Sequence, residues 1–153
     1  MNKLEGKTCI VTGGAGSLGA AAARLFAGNG ANLVLVDRDG DRLAEVAATL
    51  PRGRVVTIVA DVGTAAGAAA YVARAVDRFG GIDVLFSNAG NFGTVQPIAD
   101  YPDDVFDAVM TVHVRGAYLA AKHAGPHMRR GGSIVITSSV AGMRGDAGVY
   151  AYI

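Results

Sequence analysis

The sequence predicts an α/β domain built as a doubly wound parallel sheet. Short apolar runs recur along the chain, and segments of helical composition separate them. The runs are apolar at successive positions, the pattern of strands covered on both faces rather than of strands with one wet face. Glycine or aspartate closes the early runs, where each strand must hand over to a crossover helix. Parallel neighbours need such crossovers, and right-handed ones place helices on both faces of the sheet.

The first strand is read at 8–12 (TCIVT) and the first helix at 17–27, Ala-rich and stopped by Gly28-Asn29-Gly30. The second strand is 32–36 (NLVLV), with Asp37 at its end. A charged amphipathic helix follows at 41–50 and is ended by Pro51 and Gly53. Strand three is 55–60 (VVTIVA), with Asp61 at its tip, and the next helix is 64–79. Thr64 is placed to cap that helix and Gly80 to end it. Strand four centres on 84–86 and extends over 82–87, and 90–102 is a loop. A long helix is expected over 103–128, with Gly125-Pro126 as the point where it can break. Strand five is expected at 133–138 (SIVITS), and residues from Ser139 onward open a loop.

Composition narrows the class. The 153 residues suit one domain, with 14 Lys plus Arg against 13 Asp plus Glu for a net charge of +1. That balance makes no electrostatic case for nucleic acid or an anionic membrane as partner. With 51% hydrophobic and 18% charged residues the chain lies far from disordered compositions. The 22 glycines follow no fixed period, which excludes collagen-like and low-complexity architectures. A single cysteine, Cys9, excludes an internal disulfide framework, and no metal-ligand spacing is present. Lys3, Glu5 and Lys7 stand where a signal peptide would be apolar, and no apolar stretch is long enough to span a bilayer. A soluble, cytoplasmic domain is expected.

Between the first strand and first helix lies Thr12-Gly13-Gly14-Ala15-Gly16-Ser17-Leu18-Gly19. Glycines allow a tight turn, let backbone N–H groups approach a pyrophosphate, and let the helix pack on the strand. The helix N-terminus adds unpaired N–H groups and partial positive charge. Asp37 lies 18 residues beyond Gly19, at the tip of strand two, the context that separates a dinucleotide fingerprint from an ordinary tight turn. There it can accept from both adenosine ribose hydroxyls and repel a 2′-phosphate, which favours NAD over NADP. Arg38 pulls the other way, because a guanidinium can accommodate a phosphate.

Further stretches carry a family likeness: FGGID at 79–83, Asp61-Val62, SNAG at 87–90 and GGSIVITSSVAG at 131–142. With TGGAGSLG at 12–19, their order and spacing resemble the short-chain dehydrogenase/reductase family along essentially the whole chain. The resemblance implies a Rossmann-like NAD-binding domain that interconverts a small-molecule alcohol and a carbonyl by hydride transfer. Gly13, Gly16, Ser17, Leu18 and Gly19 would cradle the pyrophosphate, with Asp37 and Arg38 at the adenosine ribose. Asp61 and Val62 would line the adenine pocket, and Asn88, Ala89 and Gly90 would bound the central ribose. Ser139 would polarise the substrate oxygen, and Tyr152, 13 residues on, would transfer the proton. Ser138 and Tyr150 are the neighbouring alternatives; Ser138 should face away and Tyr150 sits two places early. The family also implies a homo-oligomer, dimer or tetramer, assembled through the long helix.

Four departures stand out. Ser17 replaces one family glycine, and Ser87 replaces the first asparagine of NNAG. His113 stands where the family carries an asparagine that helps hold a relay water. It could join that relay, or it could be a core histidine bonded to a backbone carbonyl. Finally, the family's lysine, four residues after the tyrosine, falls past Ile153. The expectation is therefore an incomplete domain over 1–153, with strand order 3-2-1-4-5, lacking carboxyl-terminal strands and helices and inactive alone. The alternatives are a non-catalytic dinucleotide-binding module and a fragment completed by a partner. Substrate choice is not legible beyond an apolar wall at Phe92, Val95, Pro97 and Ile98.

Overall fold

A computed structural model of the chain describes residues 2–152. Its sheet has five parallel strands: β1 (Thr8–Thr12), β2 (Asn32–Asp37), β3 (Val55–Val59), β4 (Ile82–Ser87) and β5 (Met128–Ile136). Their order is β3-β2-β1-β4-β5, as the resemblance implied. α1 (Ser17–Gly28), α2 (Gly40–Ala48) and α3 (Ala65–Phe79) connect the first four strands.

The continuous apolar runs resolve into two alternating faces. Ile10, Val34, Val36 and Leu85 face one layer with Tyr71 and Val72 of α3. Cys9, Val11, Leu33 and Leu35 face the other, with Ala23 of α1 and Leu43 of α2. Both faces of β1 are fully buried, as a doubly wound centre requires. Thr64 caps α3 by accepting the Gly67 amide, and Gly80 closes it at φ +77°, a backbone region glycine enters without a Cβ penalty.

The long helix breaks at Gly125-Pro126, the point expected, but does not resume to 128, and the bounds of the fifth strand shift. The long helix is α4 (Asp103–Met110), one π turn (Thr111–Arg115) and α5 (Gly116–Ala124). A 3-10 turn through Gly125–His127 then ends it, so Met128 begins a strand rather than finishing a helix. Pro126 supplies no N–H for helix continuation. Just beyond, Arg129 is drawn to the sheet, donating to Asp83 Oδ2 at 2.6 Å and to the Phe79 carbonyl at 2.7 Å. β5 consequently starts earlier than 133, with an irregular step where Ile82 pairs Met128 but Val84 pairs Ser133. It stops at Ile136, before 138.

β5 is also an edge strand. Among the described residues, Ile134, Val135 and Ile136 are 44%, 48% and 55% exposed. Among the described residues no helix is long and apolar enough to cross a membrane.

Candidate active site

The carboxyl ends of β1, β2 and β4 meet at one edge of the sheet, and the glycine loop crosses there. Gly13 adopts φ +68°, and a Cβ on it would stand 2.9 Å from the Ala89 Cα. Only glycine lets the loop pass this close to β4. A Cβ on Gly19 would likewise run into the Gly13 carbonyl, so α1 starts flush against the loop. Gly16 is the N-cap and offers no side chain. The first amide to bond back into the helix is that of Ala20, onto the Gly16 carbonyl. The N–H groups of Ser17, Leu18 and Gly19 precede it and have no partner within the helix. They form a donor cluster at the positive end of the helix dipole.

A cavity of about 430 Å³ runs along this turn, lined among others by Gly13, Gly16, Ser17, Leu18, Asp37, Asn88, Gly90, His113 and Tyr152. A smaller one of about 140 Å³ adjoins it, lined by Asp37, Arg38, Asp61, Val62, Ala89 and Gly90. The predicted binding residues other than Gly19, which is buried at the start of α1, are thus gathered around two adjoining cavities, with Asp37 on the wall of both.

Asp37 is more committed than the sequence suggested. Its Oδ1 accepts the amides of Arg38 (2.8 Å) and Asp39 (3.2 Å), and its Oδ2 accepts that of Ala15 (3.0 Å). A carboxylate has about four acceptor positions, so about one is left for a ligand hydroxyl rather than the two expected. Arg38 is exposed, its Nη1 4.0 Å from Asp61 Oδ2. Asp61 is steadied by the Gly63 amide on Oδ1 at 2.8 Å.

Thr12 and Thr137 are structural members of the site that sequence reasoning missed. The Thr12 hydroxyl accepts the amides of Asn88 (2.9 Å) and Ala89 (3.1 Å), and Asn88 Nδ2 donates to the Thr12 carbonyl. The Thr137 hydroxyl donates to Asn88 Oδ1 at 3.1 Å. Asn88 therefore ties β1 and the end of β5 to its own strand. Thr12 opens the glycine motif, but its partners lie 76 and 77 residues away, beyond any local signal.

A third cavity of about 290 Å³ joins Asn88, His113, Ser138, Ser139 and Tyr152. Ser138 lines it beside Ser139, contrary to expectation, because β5 has ended at Ile136 and strand alternation no longer sorts side chains between faces. Ser139 Oγ accepts the Ala141 amide at 3.1 Å and caps the 3-10 turn Val140–Met143. Tyr150 packs edge-on against Tyr101, with centroids 6.0 Å apart. Tyr152 packs between Phe92 (5.2 Å) and His113 (5.6 Å, edge-on).

His113 lies in the π turn, a helical irregularity frequent at functional sites. A Cβ on Gly90 would come within 2.6 Å of its ring, so the absent side chain makes room for the imidazole. His113 Nε2 lies within hydrogen-bond distance of the Asn91 amide and carbonyl. Among the described residues no group of His, Cys, Asp or Glu could hold a metal ion. Burial, helped by the Asp83 charge, pushes the Cys9 thiol up to about 12, leaving no reactive thiolate.

Comparison with known proteins places this geometry. The family model described as short chain dehydrogenase matches residues 7–153. Short-chain dehydrogenase reductase 3a of Arabidopsis thaliana is 39% identical over 153 residues, covering 98% of this chain and 60% of the relative. Among solved structures, an NAD+-bound xylitol dehydrogenase superposes with a TM-score of 0.92 at 36% identity, over 98% of this chain and 59% of that one. A short-chain dehydrogenase from Burkholderia cenocepacia J2315 in complex with NADP gives 0.92 at 34%, over 98% and 62%. The chain thus spans about 60% of the length of each of these proteins.

Proposed function

The chain belongs to the short-chain dehydrogenase family, and on that footing we propose that it serves an NAD-dependent oxidoreductase interconverting a small-molecule alcohol and its carbonyl. One observation carries this reading: the uncapped amino end of α1, the Asp37 carboxylate and the Tyr152 ring all line a single cavity. The cavity meets a dinucleotide's needs in order, with amide donors for the pyrophosphate at Ser17 and Leu18 on its wall and that of Gly19 behind them. Gly13 leaves free the space that a Cβ would fill against Ala89. Asp37 and Arg38 stand at the adenosine ribose, and Asp61 and Val62 at the adenine. Asn88, Ala89 and Gly90 stand at the central ribose.

A bound nicotinamide would accept or donate the hydride. The proton is the business of this chain. Tyr152 carries it on its phenolic oxygen and passes it to or from the substrate oxygen. Ser139 already accepts the Ala141 amide on Oγ, so its own hydrogen is free to donate to that same oxygen. Phe92, packed on Tyr152, gives the substrate side an apolar wall. Support for NAD over NADP is the Asp37 charge, since the acceptor position left on that carboxylate suits a hydroxyl and repels a phosphate.

Self-association belongs to the same reading. Phe106, Val114 and Tyr118 on α4, the π turn and α5 are 42%, 57% and 59% exposed, an apolar surface suited to a two-fold pairing of copies.

Titration calorimetry of the chain with NAD and with NADP tests the cofactor assignment. NAD is expected to bind more tightly. Equal or tighter NADP binding overturns the role given to Asp37, and no binding of either removes the dinucleotide reading.

A further inference from the structure

His113 Nε2 stands 3.0 Å from the amide nitrogen of Asn91 and 2.8 Å from the carbonyl oxygen of the same residue. One ring nitrogen cannot bond to both. Bare, it accepts the Asn91 N–H and turns its lone pair on the carbonyl oxygen. Protonated, it donates to that oxygen and sets a hydrogen against the N–H. A primary amide in this place would bring a donor and an acceptor on separate atoms and satisfy both groups at once. The imidazole must choose.

We propose that His113 is a proton-selected positioning residue: the proton on Nε2 decides whether it holds the amide or the carbonyl of Asn91. The setting makes the choice consequential. The ring lies against Gly90, where a Cβ would come within 2.6 Å of it. Asn91 Nδ2 also donates to the Ala108 carbonyl of α4 at 3.3 Å, so the loop start is pinned from two sides. The next residue, Phe92, packs on Tyr152, and the His113 ring meets Tyr152 edge-on. A change of partner at Asn91 therefore acts beside both aromatic contacts of the tyrosine.

The titratable group packed directly against the ring is the Tyr152 phenol. Asp37, Asp39 and Arg42 line the same cavity. Arg115, two residues along the π turn, is committed to the Gly63 carbonyl at 3.0 Å. The hydrogen-bond exchange stands without any enzymatic assignment; only its bearing on proton transfer rests on the dehydrogenase reading.

Nitrogen-15 NMR of the full chain without cofactor, recorded as a function of pH, tests it. The His113 ring resonances are expected to show Nε2 changing state, and the Asn91 amide to shift with the same midpoint. Amide exchange protection at Asn91 should fall about tenfold as its hydrogen bond is given up, the worth of one such bond. His123 and His127 serve as controls whose titrations should not appear at Asn91. In His113→Asn and His113→Gln the Asn91 amide should stay bonded and lose its pH dependence. An Asn91 amide unmoved through the His113 titration overturns the proposal. So does a ring that keeps one state throughout, or a pH dependence that survives in both variants. Because no dinucleotide is present, failure here leaves the cofactor reading intact, and failed NAD binding leaves this result intact.

Discussion

Asp37 Oδ2 accepts the amide of Ala15 at 3.0 Å, so the tip of β2 holds the glycine loop that follows β1. The same carboxylate thus shapes the turn and faces the cavity. An amide side chain there loses the charge, keeps one accepting oxygen and sets an NH2 against the amide that the other oxygen held.

Asp37→Asn is expected to keep the Arg38 and Asp39 amides on its oxygen, to give up that of Ala15, and to narrow the preference for NAD over NADP. Asp37→Ala should narrow the preference and also cost about 1–3 kcal/mol, since the loop amides lose their acceptor. Urea denaturation and calorimetry on both variants check the two effects. Equal stability loss in both would show that one accepting oxygen is not enough to hold the loop.

Asp83 sets the acid limit. Burial by itself pushes this carboxyl up, but the Thr8 amide, Lys7 and Arg129 outweigh it and hold the group below its usual range. A depressed folded value gives stability that is complete above the unfolded value of about 3.9 and lost as pH falls through the folded one. Stability should therefore decline below about pH 4. Asp83→Asn should flatten that decline while costing about 1–3 kcal/mol at neutral pH. Denaturant titrations across acid pH read both.

Tyr152→Phe removes one hydroxyl and keeps the ring that packs on Phe92 and His113. In a full-length protein that shows turnover, alcohol oxidation should drop on the order of 10²–10⁴-fold, with NAD affinity unchanged within a few-fold. Steady-state turnover beside calorimetry gives the split. Turnover persisting in the variant moves the proton-transfer role elsewhere.

The exposed face of α4 and α5 predicts self-association. Light scattering coupled to size-exclusion chromatography should give a mass at least twice the 15.5 kDa of the chain. Val114→Asp with Tyr118→Lys should lower it to the monomer value. A monomer before substitution would remove this face as an interface.

The order of elements, the glycine turn and the caps at Thr64 and Gly80 were legible in the sequence, because each depends on residues within a few positions. So was the gathering of most candidate residues around adjoining cavities, since a parallel sheet brings the carboxyl ends of its strands to one edge whatever the details of packing. The tertiary structure decided what depended on distant partners. Arg129 is drawn to Asp83, 46 residues away, and β5 begins earlier than local pattern suggests. Strand register brings Thr12 to the Asn88 and Ala89 amides, and a period-two apolar pattern encodes which face a residue takes, not which residue it meets. The same holds for the three amides on Asp37 and for the choice set before His113 by Asn91. A hydrogen bond requires two groups within about 3 Å, and for pairs far apart in the chain only the assembled fold brings them there.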